Sequence, residues 1–275
     1  MFTLNCKGRL LLVDKPLVMG IINATPDSFY SGSRFNEAEG VLAQVDKMLG
    51  AGADIIDIGG QSTRPASELI SAEEEIKRVI PVIKSVVKKF PDTIISVDTF
   101  YSNVASAAVE EGASMVNDIS SGNMDKKMIA TVAALQVPYI LMHMKGTPQN
   151  MQQNAVYENT TREVLDFFIT RTNELKKAGI TDIIIDPGFG FAKTIDQNFE
   201  LLKNLPVFKM LDRPILIGVS RKSTIYKTLG INVEDALNGT TVLNTIGLMN
   251  GASVLRVHDV KEAKEAVTLF SAMNK

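Results

Sequence analysis

Short apolar runs rich in Ile, Val and Leu recur along the chain, at 18–23, 54–58, 93–98, 114–117, 138–143, 182–186, 214–219 and 253–258. Each is too short for a helix and is bounded by Gly, Pro or polar residues. Such runs predict strands buried on both faces, the kind that build parallel sheets. Between them apolar residues return at three- and four-residue intervals, as at Leu42, Val45 and Leu49, and at Ile76, Val79, Ile80, Ile83 and Val87. That spacing predicts amphipathic helices.

The helix boundaries have their own signals. Asn36 with Glu39, and Ser71 with Glu74, stand in a capping-box relation and predict helix starts. Pro81 is expected to kink or split the second helix. Gly112 and Gly179 stop helices predicted over 102–111 and 158–178. Further helices are expected near 125–135, 224–229, 234–250 and 260–272. Polar loops occupy 24–35, 61–70 and 145–154.

Eight strand-then-helix units predict a (β/α)8 TIM barrel, with residues 1–275 as one domain. A doubly wound open sheet normally uses fewer strands, and no GxGxxG follows the first strand to support it. Residues 8–13, which precede the first unit, are expected to form a strand or hairpin that closes the barrel bottom.

Composition narrows the partners. The 275 residues are 45% hydrophobic and 22% charged, with a formal net charge of -2, ordinary for a soluble globular protein. No large basic field is available for nucleic acid or an anionic membrane. No apolar run approaches the ~18 residues of a membrane span, and no signal peptide is evident at the N-terminus. The one cysteine, Cys6, allows no intrachain disulfide and suits a cytoplasmic setting.

The polar residues fall at the strand ends: Asn23, Asp98, Asn117, His143, Asp186 and the Arg256/His258 pair, with Lys222 just beyond the seventh strand. In a barrel these ends converge on the face that carries active sites. Side chains two apart on a strand share a face, so Arg256 and His258 should point the same way. Arg256 could instead bridge to a barrel acid such as Asp57, and His258 could cap a helix. Asp57 lies inside a strand and reads as structural, and His143 as a packed rim residue. No Cys/His cluster suggests zinc, and neither histidine has an evident Ser or Cys partner for a nucleophilic triad. The set suits a polar planar ring with an anionic tail. Asp98 and Asp186 can accept paired N–H groups, Asn117 can donate and accept, and Arg256 can stack on a π-face. Lys222 and the amides near Ser223, at a helix start, suit an anion.

The segments Asn-Ala-Thr-Pro-Asp-Ser-Phe (23–29), Gly-Gly-Gln-Ser-Thr-Arg-Pro (59–65), Ser-Val-Asp-Thr (96–99), Asn-Asp-Ile (117–119), Asp-Pro-Gly-Phe-Gly-Phe (186–191), Ser-Arg-Lys-Ser (220–223) and Arg-Val-His (256–258) together resemble the dihydropteroate synthase family. The resemblance runs in order over nearly the whole chain. It implies a (β/α)8 barrel, usually a homodimer through its final two helices, that joins p-aminobenzoate to 6-hydroxymethyl-7,8-dihydropterin diphosphate in folate biosynthesis.

Carried over by motif, the resemblance implies that Asp98, Asn117, Asp186, Lys222 and Arg256 bind pterin. Asn23, Arg64, Arg256 and His258 would hold diphosphate, with Asn23 a ligand to Mg2+. Phe29, Thr63, Arg64, Pro65, Lys222 and Ser223 would form the p-aminobenzoate site. Asp27, Lys222 and Arg256 would be catalytic, in an SN1-like displacement. The loops 24–35 and 61–70 would be lids. Gln61 and Ala66 depart from the Glu and Gly expected there. A pterin-dependent methyltransferase domain would lack the Thr-Pro-Asp-Ser-Phe and Ser-Arg-Lys-Ser segments. A non-catalytic pterin-binding paralogue would not need Asn23, Asp27, Lys222 and Arg256 intact.

Overall fold

The computed structural model describes residues 1–24, 34–61 and 69–274, and the side chains of all of these but 34–38. The chain opens with an antiparallel hairpin, β1 (Phe2–Cys6) and β2 (Arg9–Val13). Eight parallel strands follow: β3 (Leu17–Asn23), β4 (Ile55–Gly59), β5 (Ile94–Asp98), β6 (Met115–Asp118), β7 (Tyr139–Met142), β8 (Ile183–Asp186), β9 (Leu216–Ile217) and β10 (Val254–Val257). Their order is β8-β7-β6-β5-β4-β3-β10-β9. A parallel bridge between Ile185 and Ile215 joins the two ends, with the Ile185 N–H donating to the Pro214 carbonyl at 3.0 Å. The sheet is thus the closed ring of a (β/α)8 barrel.

Helices α1 (Arg34–Gly50), α2 (Ala72–Lys89), α3 (Ser102–Glu110), α4 (Met128–Leu135), α5 (Thr160–Lys177), α6 (Ile195–Lys203), α7 (Ser223–Leu229), α8 (Leu237–Met249) and α9 (Val260–Met273) surround it. The expected start near Asn36 is corrected: the helix begins at Arg34, so Asn36 lies inside it. Ser71 caps α2 as expected, its Oγ accepting from the Glu74 N–H at 3.2 Å. Pro81 does not split α2. It sits on the exposed side of the helix, where water can satisfy the carbonyl that its missing N–H leaves free. Helix α6 was not evident from apolar spacing. It starts with a full capping box between Thr194 and Gln197, the signal that could have revealed it.

Strand period explains the barrel's interior. Met19, Ile55, Ile94, Met115, Ile140, Ile184, Leu216 and Val254, one from each parallel strand, form an apolar layer. Leu4, Cys6 and Val13 of the hairpin pack against it, and the Asn5 N–H donates to Asp182 at 2.6 Å. The hairpin therefore plugs the amino-terminal end of the barrel, as expected. Burial, then the nearby Asp182 carboxylate, pushes the Cys6 thiol up to about 12, so it behaves as a small apolar side chain.

Two positions further along, the inward residues include Asp57, Ser96, Asn117, Asp186 and Arg256, and two further still Asn23, Asp98 and His258. Apolar side chains fill the closed end of the barrel, and polar ones fill the mouth.

Candidate active site

Arg256 organises the mouth. Its Nε donates to Asp57 Oδ2 at 2.6 Å, and its Nη2 lies 2.5 Å from Asp98 Oδ2. Asp57 Oδ2 also accepts from Asn117 Nδ2 at 3.1 Å. One buried carboxylate therefore orients both a guanidinium from β10 and an amide from β6. Asp57 is fully buried, and a buried charge persists only with such partners. Burial opposes the Arg256 charge, but the Asp57 and Asp98 carboxylates outweigh it and raise its pKa.

The ion pair with Asp57, weighed from sequence as a rival to function for Arg256, is present. It is also what aims the guanidinium at Asp98. Burial raises the Asp98 carboxyl to about 7, against the lowering effect of Arg256 and with help from Asp57, Asp118 and Asp186. Asp98 thus titrates near neutrality.

Asp186 ends β8 beside this group. Its Oδ1 accepts from the Gly188 N–H at 2.8 Å. Burial raises its pKa, while Lys222, the Gly188 N–H, Arg256 and Lys193 hold it down. Lys222 donates to the Phe189 carbonyl and lies 4.5 Å from the Phe191 ring centroid. Gly190 permits this approach: it has φ +80°, and a Cβ there would stand 3.0 Å from Lys222 Cδ. Burial lowers Lys222 to about 8, with Asp186 opposing the shift.

The turn before Lys222 is fixed by Arg221. Its guanidinium forks onto Asp259 at 2.8 and 2.9 Å and donates to the Glu234 carbonyl at 2.9 Å. Ser223 then begins α7. His258 Nδ1 lies 3.0 Å from Ser220 Oγ, and burial, then the Arg256 charge, lowers its pKa to about 4. Asn23, at the end of β3, is exposed at the mouth.

His143 belongs to a different set. Just past the end of β7 and one position after Met142, it turns away from the barrel interior and meets Phe167 edge-on at 4.9 Å and Lys193 Nζ at 3.1 Å. Burial, then the charges of Lys193 and Lys145, depresses its pKa to about 2. It is a neutral, packed residue.

Asp98, Asn117, Asp186, Lys222 and Arg256 therefore converge at one end of the barrel. Asp27, Phe29, Thr63, Arg64 and Pro65, with Ala66, lie outside the described residues. So do most positions of both proposed lids. The described ends of the second loop are tied together. Gln61 accepts from the Ile70 N–H at 2.9 Å through its side-chain oxygen, and Tyr101 donates to the Ile70 carbonyl at 2.9 Å.

Asp57 has the structural place read for it, bridging Arg256, whereas sequence reasoning overlooked Lys193 and Glu75. Glu75 is a fully buried acid that accepts from Thr99 at 3.0 Å. Burial raises it to about 8, against that hydrogen bond. Its place within the apolar stripe of α2 was the available signal.

The arrangement can grip a flat, polar ring through paired carboxylates and an amide, and offers cations for an anionic substituent. Comparison with known proteins gives the family. The pterin binding enzyme family matches residues 19–258. The dihydropteroate synthase of Streptococcus pyogenes is 40% identical over 270 residues, covering 97% of this chain and 98% of that one. The structure of Xanthomonas albilineans dihydropteroate synthase with 4-aminobenzoic acid superposes with a TM-score of 0.92 at 39% identity, covering 99% of this chain and 98% of that one. The same enzyme in complex with 7,8-dihydropteroate gives 0.89 at 38% identity, covering 99% of each chain. The chain belongs to the dihydropteroate synthase family of pterin-binding enzymes.

Proposed function

We propose that this transferase joins p-aminobenzoate to 6-hydroxymethyl-7,8-dihydropterin diphosphate, giving 7,8-dihydropteroate and diphosphate. The observation that supports it most is the Asp57–Arg256–Asp98 ion network with Asn117, beside Asp186 and Lys222. In this reading Asp98, Asn117 and Asp186 take the ring N–H groups and ring acceptors of the pterin. Lys222 bonds an electronegative ring atom, and Arg256 stacks on the ring.

An arylamine is a weak nucleophile, so departure of diphosphate carries much of the barrier. The bond from the exocyclic methylene carbon to oxygen breaks, and its electrons leave on diphosphate. The electron-rich dihydropterin carries the resulting cation, assisted by Asp27. The amine lone pair then forms the carbon–nitrogen bond, and its proton passes to water or the released diphosphate. Phe29, Thr63, Arg64, Pro65, Lys222 and Ser223 are assigned to p-aminobenzoate by motif. Arg64 and Arg256 would neutralise the leaving group, and His258, which burial and then Arg256 lower to about 4, would hold it as a neutral hydrogen-bond donor. The loops 24–35 and 61–70 would keep water from the cation.

Asn23 fits Mg2+ as a single hard-oxygen ligand, exposed at the strand end. No cluster of three or more His, Cys, Asp or Glu able to hold a metal occurs among the described residues. A lone protein ligand suits an ion that keeps several waters and binds substrate phosphates. When bound it would supply charge neutralisation at diphosphate.

A homodimer through α8 and α9 is supported by their exposed apolar side chains, Val242, Ile246 and Met249 on one and Leu269 and Met273 on the other. Sedimentation of the chain and of Leu269→Glu tests this: a wild-type monomer at micromolar concentration contradicts it. Its single, buried thiol suits a cytoplasmic setting.

Incubating the purified chain with both substrates and Mg2+ tests the function. Dihydropteroate and diphosphate should form in equal amounts, and no condensation product at saturating substrates would overturn the reading. A covalent pterin adduct trapped on the protein would overturn the displacement mechanism.

A further inference from the structure

Lys193 lies just past the Asp186 loop and has no part in the roles assigned above. It is only 3% exposed. Burial lowers Lys193 to about 7, with Asp186 opposing the shift, so its hold on the chain rests on the geometry of its donors, all of which are used. Lys193 Nζ donates to the carbonyls of Gly188 and Phe191, each at 3.0 Å, and lies 3.1 Å from His143 Nδ1. The His143 carbonyl is 3.4 Å away. Because His143 stays neutral, its Nδ1 can offer a lone pair to the ammonium.

Two of these acceptors belong to the 187–191 loop and two to His143, just past the end of β7. The loop is thus wrapped around one cation and tied to the adjacent strand. Gly188 tightens the fit: it has φ +74°, and a Cβ there would stand 2.0 Å from the His143 carbonyl oxygen. Between the two anchored carbonyls, Phe189 presents its own carbonyl to Lys222. Phe191 places its ring beside the same ammonium. The contacts that aim Lys222 are therefore made by residues that Lys193 holds.

We infer that Lys193 is a positioning residue for the pterin site, its ammonium holding the 187–191 loop in the shape that directs Lys222 and Asp186 into the mouth. This rests on the reading that the pterin half binds there. Lys193 touches no substrate and acts through the loop. Its charge also faces Asp186 and, with Lys222 and Arg256, favours the ionised carboxylate.

The test compares the whole chain with Lys193→Met, which keeps an apolar stem and removes the charge. Calorimetry gives the affinity for 6-hydroxymethyl-7,8-dihydropterin diphosphate, and steady-state kinetics give both KM values. Lys193→Met should bind the pterin substrate about ten- to a hundredfold more weakly, as expected for loss of an orienting partner. Its KM for p-aminobenzoate, to which Lys222 alone of these groups is also assigned, should rise by a clearly smaller factor than the pterin affinity falls.

Equal pterin affinity in the variant and the wild type overturns the inference. So does an equal rise in both KM values, the mark of general loosening. Should Lys193→Met not fold, His143→Leu and His143→Gln carry the test. Leu removes one acceptor and should weaken pterin binding selectively, while Gln should restore it. Unchanged pterin affinity in His143→Leu overturns the inference. Failure of the wild-type chain to bind the pterin substrate would instead refute the proposed function.

Discussion

Arg256, on the last strand of the barrel, reaches across the mouth to set its Nη2 2.5 Å from Asp98 Oδ2 on β5. Two strands, β3 and β4, separate them in the ring. The contact is possible because Asp57 on β4 holds Arg256 Nε midway. A planar fork can serve both acids at once, and an ammonium is a point charge. Arg256→Lys should therefore remain folded yet lose about a hundredfold or more in kcat/KM for the pterin substrate. A thermal melt beside the kinetics checks this, and near-normal kinetics in the variant would contradict it.

The same network sets a pH dependence. Burial raises Asp98 to about 7 and lowers Lys222 to about 8. Ring recognition needs the Asp98 carboxylate, which prevails above its pKa, and the Lys222 ammonium, which prevails below its own. The kcat/KM for the pterin substrate should be bell-shaped, highest between about pH 7 and 8. Its limbs belong to the coupled group of Asp98, Asp186 and Lys222. A profile flat from about pH 6 to 9 would contradict this assignment.

Much of this mouth was legible in the chain because strands alternate faces. The apolar run followed by Asp186, or by Asp98, places a carboxylate at the carboxyl end of a strand before any coordinates are known. Parity also separates His143 from Asp186, although both stand near strand ends. Parity does not say which inward residues meet. Asp57 and Arg256 lie 199 residues apart, and only ring closure makes them neighbours. Lys193 was illegible for a related reason. A lysine in a polar turn reads as solvated, and its burial depends on His143 from another strand. Of the kink or split expected at Pro81, the split does not occur, because Pro81 faces water, which can satisfy the carbonyl it leaves free.

Gln61 stands where a family member is expected to carry Glu. Its side-chain oxygen accepts from the Ile70 N–H, a bond that a carboxylate could make equally. Gln61→Glu should thus keep the KM for p-aminobenzoate within about twofold. Gln61→Ala loosens the ends of the segment that carries Thr63, Arg64 and Pro65, and should raise that KM up to about tenfold, the effect of losing one partly buried hydrogen bond. Equal KM values in Gln61→Ala and wild type would contradict the role.

The closed end of the barrel should behave differently. Leu4 is buried against the apolar layer, so Leu4→Ala should cost about 2–5 kcal/mol of stability. Neither KM should change, because the hairpin lies at the opposite end from the polar mouth. Chemical denaturation with kinetics on the folded variant checks both halves of this expectation.

The most direct measurement is a crystal structure of the chain with 6-hydroxymethyl-7,8-dihydropterin bound. The ring should lie in the mouth, within hydrogen-bond distance of Asp98, Asn117 and Asp186, with the Arg256 guanidinium against its face and Lys222 at its edge. A ring bound elsewhere, with the Asp57–Arg256–Asp98 network free of ligand, would contradict the account.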